Sequence, residues 1–585
     1  MFADEASLIM TTVPPPTISP TEPSRGPQRR RRRIVLSAHR CLFFLSLSLA
    51  LFIASVLFTS AGTAASPEYE QMAGVLDTRS RFSDGIYTID GLAKMAEERG
   101  IQVLFINDHD KTVLSYGLPP FPNLISKTVE MNSILKGKAA DFLQAITQAQ
   151  ERYKQVIIIP GSESAAFYYW TGNPFQSNLT AHNHEKRLLT VGLSKAEDYR
   201  RLPVVHNTGP LNMELLPGIL PFLAAFVLAS IMIVWRGWWR ITGIVLAVIA
   251  LLFIIDNHPF RASVYDPWHG DKGMAPYQRL IDYVNSRGGL TFWNYPETQS
   301  GVRKLGPIRV STKPYPQALL ESHGYTGFSA LYGDTITITE PGNVWDTTLR
   351  EHCRGYRKQP PWGVATADYH KEGESGEKFG NYQTVFLVRA KTREAVLAAM
   401  KTGRMYARQG TYPHLARLDE FSVSDAAGEQ RAVMGENIKM SGNPHIHIRI
   451  SAPPPVTAGQ PAVGGPEQKE AATLPGDSSR PAPATDRAAA AVTAQAGAAP
   501  ILTDRKQITG TTPGTPLPPA TPTVKLRLIR NGSVIAETTG PLPLTFTHED
   551  KYFQPGERLY YRMDMEGYGK IVANPIFVTF TGAKP

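Results

Sequence analysis

The chain is nearly without cysteine: Cys41 and Cys353 are the only two in 585 residues. Cys41 lies in an apolar run, so no disulfide between the two is expected, and the fold must stand without one even in an oxidising compartment. An aromatic-interleaved basic patch is also missing. The formal charge is +10, but seven arginines (Arg25, Arg29 to Arg33 and Arg40) against Asp4, Glu5 and Glu22 put much of the excess in the first 40 residues. The remainder is spread thinly, which excludes nucleic acid as the expected partner. The chain is long enough for two or three domains and a large core.

Residues 41–66 carry no charge and are long enough to span a bilayer, which takes about 20 apolar residues. Arg29 to Arg33 precede them, and positive flanks stay in the cytoplasm. This predicts a disordered basic tail over 1–40 and a transmembrane anchor over 41–66, with the chain emerging outside after residue 66. The small residues Gly62 to Ala65 leave a cleaved signal peptide as the alternative. A second apolar region covers 212–257: Leu215 to Trp235 and Ile241 to Ile255 are uncharged, and Arg236-Gly-Trp-Trp-Arg240 lies between them. It reads as a transmembrane helical hairpin with its basic, aromatic tip in the cytoplasm. Both signals give one topology: N-terminus inside, three crossings, soluble parts on the extracytoplasmic (periplasmic) side.

Strand-like runs alternate with helical patterns from Gln71 to Gly410 and predict an α/β barrel or layered sheet over 67–410. Helices are expected at Ile89 to Arg99, Ala139 to Tyr153, Tyr277 to Arg287 and Arg393 to Thr402. Asp77, His109, Glu163, Tyr295 and Asp368 each follow a strand candidate, where parallel α/β folds place their sites. After about Tyr412 the pattern alternates apolar and polar residues, predicting a small antiparallel β domain over 411–585, with Asn531-Gly532 as a hairpin turn. Residues 453–522, rich in Ala, Pro and Thr and lacking aromatics, are expected to form a disordered insertion.

Taken in order, GVLDTRSRFSDG, INDHD, PGSES, GVATADYH and AVLAAMKTGRMYAR resemble the PHP (polymerase and histidinol phosphatase) superfamily, and more closely its membrane-associated, carbaryl-hydrolase-like branch. The resemblance covers roughly 70–410 well and the C-terminal part more loosely. It implies a distorted (β/α)7 barrel holding up to three ions of zinc, manganese or iron, which polarise a phosphate and lower the pKa of bound water to about 7 in favourable cases. By position, the family's first His-x-His matches Asp77 and Arg79, and its SDG acidic residue matches Asp84. The next histidine matches His109 and the bridging carboxylate Glu163. A further histidine matches His184, or less securely His182. The His-Pro histidine matches Tyr295, and the last Asp-x-His matches Asp368 and His370.

The departures matter. Arginine has no lone pair to offer a metal, and tyrosine is an unusual ligand, so two of the three implied metal positions lose ligands. The third keeps Asp84, His109 and His370, a reasonable set for one divalent ion. Glu163, His184, Asp368 and Asp77 are the further candidate ligands. Arg79 is expected where a cation once sat, facing Asp77, Glu163 and Asp368.

Two functions fit these residues. The first is a membrane-anchored metal-dependent hydrolase of phosphate or other esters, taking a small anionic or ester substrate. Fewer than three ions would bind, Asp368 or Glu163 would act as general base, and Arg79 would stabilise developing charge. The second is a metal-free, non-catalytic scaffold or binding protein of the cell envelope. The substrate and any protein partner are not legible in the sequence.

Overall fold

In the computed structural model the strand Glu70–Thr78 (β1) buries Val75 and Leu76 completely and delivers Asp77 to its carboxyl end. The described residues are 69–581 apart from 335, 374–377, 454–521 and 553, so the expected tail 1–40, the apolar segment 41–66 and nearly all of the insertion 453–522 lie outside them.

β1 runs parallel to Val103–Ile106 (β2). Between them Ile89–Glu98 (α1) starts on Thr88, whose side chain accepts from Gly91 N, and it buries Ile89, Leu92 and Met95. After β2 the chain makes a hairpin, Val113–Gly117 (β3) and Ser126–Glu130 (β4). Ala139–Arg152 (α2) then leads into Ile157–Ser164 (β5), parallel to β2. Tyr169–Thr171 (β6) and Thr180–His182 (β7) come next, and then Arg187–Val191 (β8).

Ala196–Arg200 (α3) precedes two long apolar helices, Leu216–Val234 (α4) and Trp238–Asp256 (α5). Ala275–Ser286 (α6) returns the chain to the sheet as Leu290–Asn294 (β9). Val302–Leu305 (β10) and Ile308–Ser311 (β11) join β6 and β7 in a separate four-stranded sheet. Gly327–Leu331 (β12), Val344–Cys353 (α7) and Trp362–Ala365 (β13) complete this part.

The strands lie in the order β13-β12-β9-β8-β5-β2-β1. The sheet curls until its two ends meet: Ala367 N donates to Leu76 O (3.0 Å), Tyr369 N to Asp77 O (3.0 Å) and Arg79 N to Tyr369 O (2.9 Å). The α/β expectation is met, but not with parallel strands throughout. β8 is antiparallel to both β5 and β9. The chain spends residues 165–186 at the carboxyl end of β5, so it re-enters the sheet from that end and must run downward. Arg187 therefore begins its strand where its neighbours finish theirs.

α4 and α5 pack against each other, closely enough at Gly243 that a Cβ there would lie 2.8 Å from Ala229 O. Both helices are long and apolar enough to cross a membrane, and most of their apolar surface is left uncovered by the other described residues. Nineteen residues make a rod of about 28 Å. The foot of the pair is held firmly. Asp256 Oδ1 accepts from Asn123 N (2.8 Å) and Leu124 N (3.0 Å), at the turn between β3 and β4. Phe121 of the same turn packs on Phe253, with ring centroids 4.8 Å apart.

Tyr382–Val388 (β14) is antiparallel to β1. Arg393–Thr402 (α8) begins on Thr392, which accepts from Ala395 N, and ends at Gly403 with φ +77°. Met405–Gln409 (β15) pairs with β14. The C-terminal strands are Arg417–Ser424 (β16), Arg431–Val433 (β17), Asn437–Met440 (β18), His445–Ser451 (β19), Thr523–Arg530 (β20), Ser533–Pro541 (β21), Leu544–Glu549 (β22), Arg558–Glu566 (β23), Lys570–Ala573 (β24) and Ile576–Phe580 (β25). β15 pairs with β24, so one sheet passes without a break from the curled part through β14 and β15 into β24, β23, β20 and β21. Asn531 and Gly532 form the turn between β20 and β21 with φ +49° and +88°, as an Asn-Gly hairpin requires.

A fully enclosed ion pair joins the two halves. Arg562 Nε and Nη2 donate to Asp346 Oδ1 (2.7 Å) and Oδ2 (2.6 Å), and the guanidinium lies 5.0 Å from the Trp345 ring. Removing one partner strands the other charge in the interior, so Asp346→Ala should lower stability by about 3–5 kcal/mol in chemical denaturation. The double variant Asp346→Ala, Arg562→Met should recover most of that loss.

Candidate functional site

The carboxyl ends of β1, β2, β5 and β9, the start of β8 and the loop after β13 bring the candidate residues to one end of the curled sheet. Arg79, only 1% exposed, occupies the centre. Its Nη2 lies 3.0 Å from Asp77 Oδ1, 3.0 Å from Glu163 Oε2 and 3.3 Å from Asp368 Oδ1. The same guanidinium donates through Nη1 to Asn107 O. The expected arrangement of one cation among three carboxylates is therefore present.

Burial holds the Asp77 carboxyl up to about 6, more than Arg79 lowers it. Burial also opposes ionisation of Glu163, but Arg187 and then Arg79 outweigh it and hold Glu163 well below the usual carboxylate range. For Arg79, the surrounding carboxylates outweigh the cost of burial and keep it firmly charged.

Two residues not foreseen from the sequence complete this network. Asn294 Nδ2 donates to Asp77 Oδ2 (2.9 Å) and Glu163 Oε1 (2.8 Å), while its Oδ1 accepts from Ser329 Oγ (2.7 Å), which fixes the amide's orientation. Arg187 Nη1 donates to Glu163 Oε2 (2.6 Å) and to His109 Nδ1 (2.7 Å). Asn294 adjoins Tyr295 at the end of β9 and could have been found with it. Arg187 precedes its strand, and only the reversed direction of β8 brings it here. Tyr295 donates its hydroxyl to Asp77 Oδ2. Asp77, Tyr295 and Asp368 all have positive φ (65°, 47° and 46°), a strained conformation costing about 1–3 kcal/mol each that such sites store.

Asp84, His109 and His370 form a second cluster nearer the solvent. Nε2 of His109 and Nε2 of His370 each lie 3.2 Å from the same oxygen, Asp84 Oδ2. Nδ1 of His370 donates to the Asp368 carbonyl at 2.7 Å, which directs Nε2 at Asp84. Burial disfavours charge on His370, but Asp368 and Asp84 outweigh it and push its pKa up to about 10. Asp84 is held far below the usual carboxylate range by His109 and His370, against the effect of burial.

Among the described residues no group of three or more His, Cys, Asp and Glu side chains is spaced to enclose an ion. The three groups touch one another as ion pairs instead. Two imidazoles and a carboxylate are donor types that suit a divalent ion, for which the anchored Nδ1 of His370 would leave Nε2 as the ligand, although Arg187 Nη1 stands 3.5 Å from His109 Nε2.

The other candidates are structural or peripheral. Asp108 accepts from Ser80 N (2.7 Å), Ser80 Oγ (2.6 Å) and Ser83 Oγ (2.5 Å), tying the two loops together. Asp110 accepts from Ser164 Oγ. His184 packs on Tyr168, with centroids 5.7 Å apart, and burial aided by Arg187 pushes its pKa down to about 3, leaving a neutral imidazole. His182 is bonded to Thr171 Oγ1 (2.7 Å) and stacked on Tyr169, away from this cluster.

No family model matches the sequence, and no curated protein matches it. Several solved structures do. One is a two-domain protein of Bacteroides vulgatus, described as containing a PHP-like metal-dependent phosphoesterase. It has TM-score 0.32 and 9% identity, with 87% of this chain and 95% of that chain covered. Another, from Bifidobacterium adolescentis and described as a metal-dependent phosphoesterase, has TM-score 0.26, 15% identity and coverage of 56% and 96%. An amidohydrolase of Chromobacterium violaceum, with bound sulfate and no metal, has TM-score 0.22, 12% identity and coverage of 51% and 87%. At these scores none of the three decides the activity of this chain.

The raised pKa of Asp77 has a sign that can be checked. An acid whose pKa rises from 3.8 to about 6 on folding contributes stability that is present at low pH and lost as the pH climbs through about 6. Arg79→Gln removes the opposing cation and should extend that loss upward. The stability deficit of the variant against the wild type, read from thermal melts, should grow as the pH rises above about 6.

Proposed function

We propose that this chain is a membrane-anchored protein with a PHP-like distorted (β/α)7 barrel, hydrolysing a phosphate or other anionic ester outside the cytoplasm with one divalent ion held by Asp84, His109 and His370. The observation that carries this reading is the convergence of two histidine Nε2 atoms on one Asp84 oxygen, at the open end of a curled α/β sheet. The uncovered apolar faces of α4 and α5, with Arg236 and Arg240 at their tip, support the hairpin as a membrane crossing whose basic end stays in the cytoplasm.

An ion bound there would supply Lewis-acid polarisation of the ester. Of the two carboxylates considered as general base, Asp368 is the better placed, since its side chain is 50% exposed. Glu163 has both oxygens committed, Oε1 to Asn294 and Oε2 to Arg79 and Arg187. Arg79 is enclosed and positions the carboxylates rather than meeting substrate. Arg187, on the His109 side of Glu163, is the cation better placed to face an anionic group.

The ion pairs of Arg79 with Asp77, Glu163 and Asp368, which occupy the centre of the site, favour a second reading, a scaffold that no longer turns over substrate. Metal analysis and hydrolysis of a generic phosphodiester by the purified protein separate the two. On the first reading the wild type holds about one ion, His370→Ala or His109→Ala loses it together with activity, and Asp368→Asn lowers kcat by about 10²–10⁴-fold. A metal-free and inert wild type leaves the scaffold. The double variant Asp77→His, Arg79→His should bind more metal than the wild type, and unchanged metal content would show that Arg79 does not occupy a former ion position.

A further inference from the structure

At the foot of α4 and α5 lies a cavity of about 290 Å³, lined by Arg201, Leu211, Met213, Arg261, Arg279 and Tyr283. Two of its arginines are neutralised: Arg279 forms a fork with Glu214 at 2.8 and 2.6 Å, and Arg201 pairs with Glu197. Arg261 is not. Its guanidinium has no hydrogen bond or ion pair among the described residues, and its Nε is wholly buried without a partner. The backbone holds it in place, through an antiparallel bridge to Thr208 and a bond from Asn212 Nδ2 to Arg261 O (3.3 Å). Burial pushes this guanidinium's pKa down, and Asp266 and Asp256 offset that only in part.

A partly buried guanidinium with no ion pair among the described residues, and with its Nε shut away from any partner, is a place where an added negative charge would be favourable. An anion with several oxygens would satisfy it, since arginine presents its donors as a planar fork suited to phosphate. The rim says which anion. Leu211 and Met213 are 50% and 67% exposed and stand just ahead of α4, so an apolar strip leads from the cavity onto the uncovered face of that helix. A small soluble anion would gain nothing from the strip, whereas acyl chains would lie along it.

We propose that this cavity binds the phosphate of an anionic phospholipid head group at the outer bilayer surface, with Arg261 as its principal donor and the acyl chains running along α4. This site rests on the reading of α4 and α5 as membrane crossings.

That premise is tested by itself in vesicles containing the full chain, with the two native cysteines replaced by serine. Trp238→Cys and Tyr356→Cys should react with a membrane-impermeant maleimide from opposite sides. The lipid site is tested by thermal melts of the full chain in mild detergent. Added phosphatidylglycerol should raise the wild-type Tm by a few degrees, while phosphatidylcholine and inorganic phosphate should not.

Arg261→Met should lose the phosphatidylglycerol response and, since it removes a partly buried guanidinium that has no ion pair, melt no lower than the wild type without lipid. Opposite-side labelling with an equal lipid response in wild type and Arg261→Met overturns the lipid site and leaves the hairpin standing. Same-side labelling overturns both. A wild-type response to phosphate as large as that to phosphatidylglycerol overturns the lipid as the ligand. If Arg261→Met melts lower or fails to fold, Arg261→Lys decides: it should keep the charge, lose the planar fork and show a weaker phosphatidylglycerol response, and an undiminished response overturns the site.

Discussion

One guanidinium holds the open end of the curled sheet together. Arg79 reaches carboxylates delivered by β1, by β5 and by the loop after β13, elements that meet only because the sheet curls round on itself. Without a cation among them, Asp77, Glu163 and Asp368 would repel, and at least one would be neutral at ordinary pH. The backbone bonds that tie Ala367 and Tyr369 to Leu76 and Asp77 lie directly beside this cluster. Closure of the sheet and neutralisation of the site are thus one structural event. An ion could do the same work, but an arginine does it permanently and without dependence on supply.

The cluster around Arg79 and the cluster around Asp84 share a boundary made by His109, Arg187 and Asp368. His370 touches both, through its Nδ1 on the Asp368 carbonyl and its Nε2 on Asp84. Arg79, Asp77 and Glu163 of the inner cluster are enclosed, and the outer one is more open and carries the histidines. That division separates a part that sets geometry from a part able to meet a ligand. The positive φ values at Asp77, Tyr295 and Asp368 fit it, because strained backbone persists only where its surroundings overdetermine it.

Much of this was legible in the chain, for identifiable reasons. The helix over Arg393–Thr402 was expected with those limits, since Thr392 and Gly403 are strong start and stop residues. The Asn531-Gly532 turn was legible because few other dipeptides accept two positive φ values. The meeting of Asp77, Arg79, Glu163 and Asp368 was expected from the resemblance that the ordered motifs carry, not from periodicity or composition. The direction of β8 was not legible, because periodicity is blind to which way a strand runs, and Arg187 was missed with it. The boundary near residue 410 marks a change of sequence pattern, but hydrogen bonding between β15 and β24 crosses it; a pattern along the chain does not report pairing between distant strands.

That shared sheet limits how the molecule can be divided. Cutting after β15 would leave the hydrogen-bonding edge of Met405–Gln409, now covered by Lys570–Ala573, open along its length, and would leave Asp346 without Arg562. A bare strand edge recruits other chains. The curled part alone would therefore be a sticky fragment and not a smaller version of the protein. The C-terminal strands act as the cover of that edge.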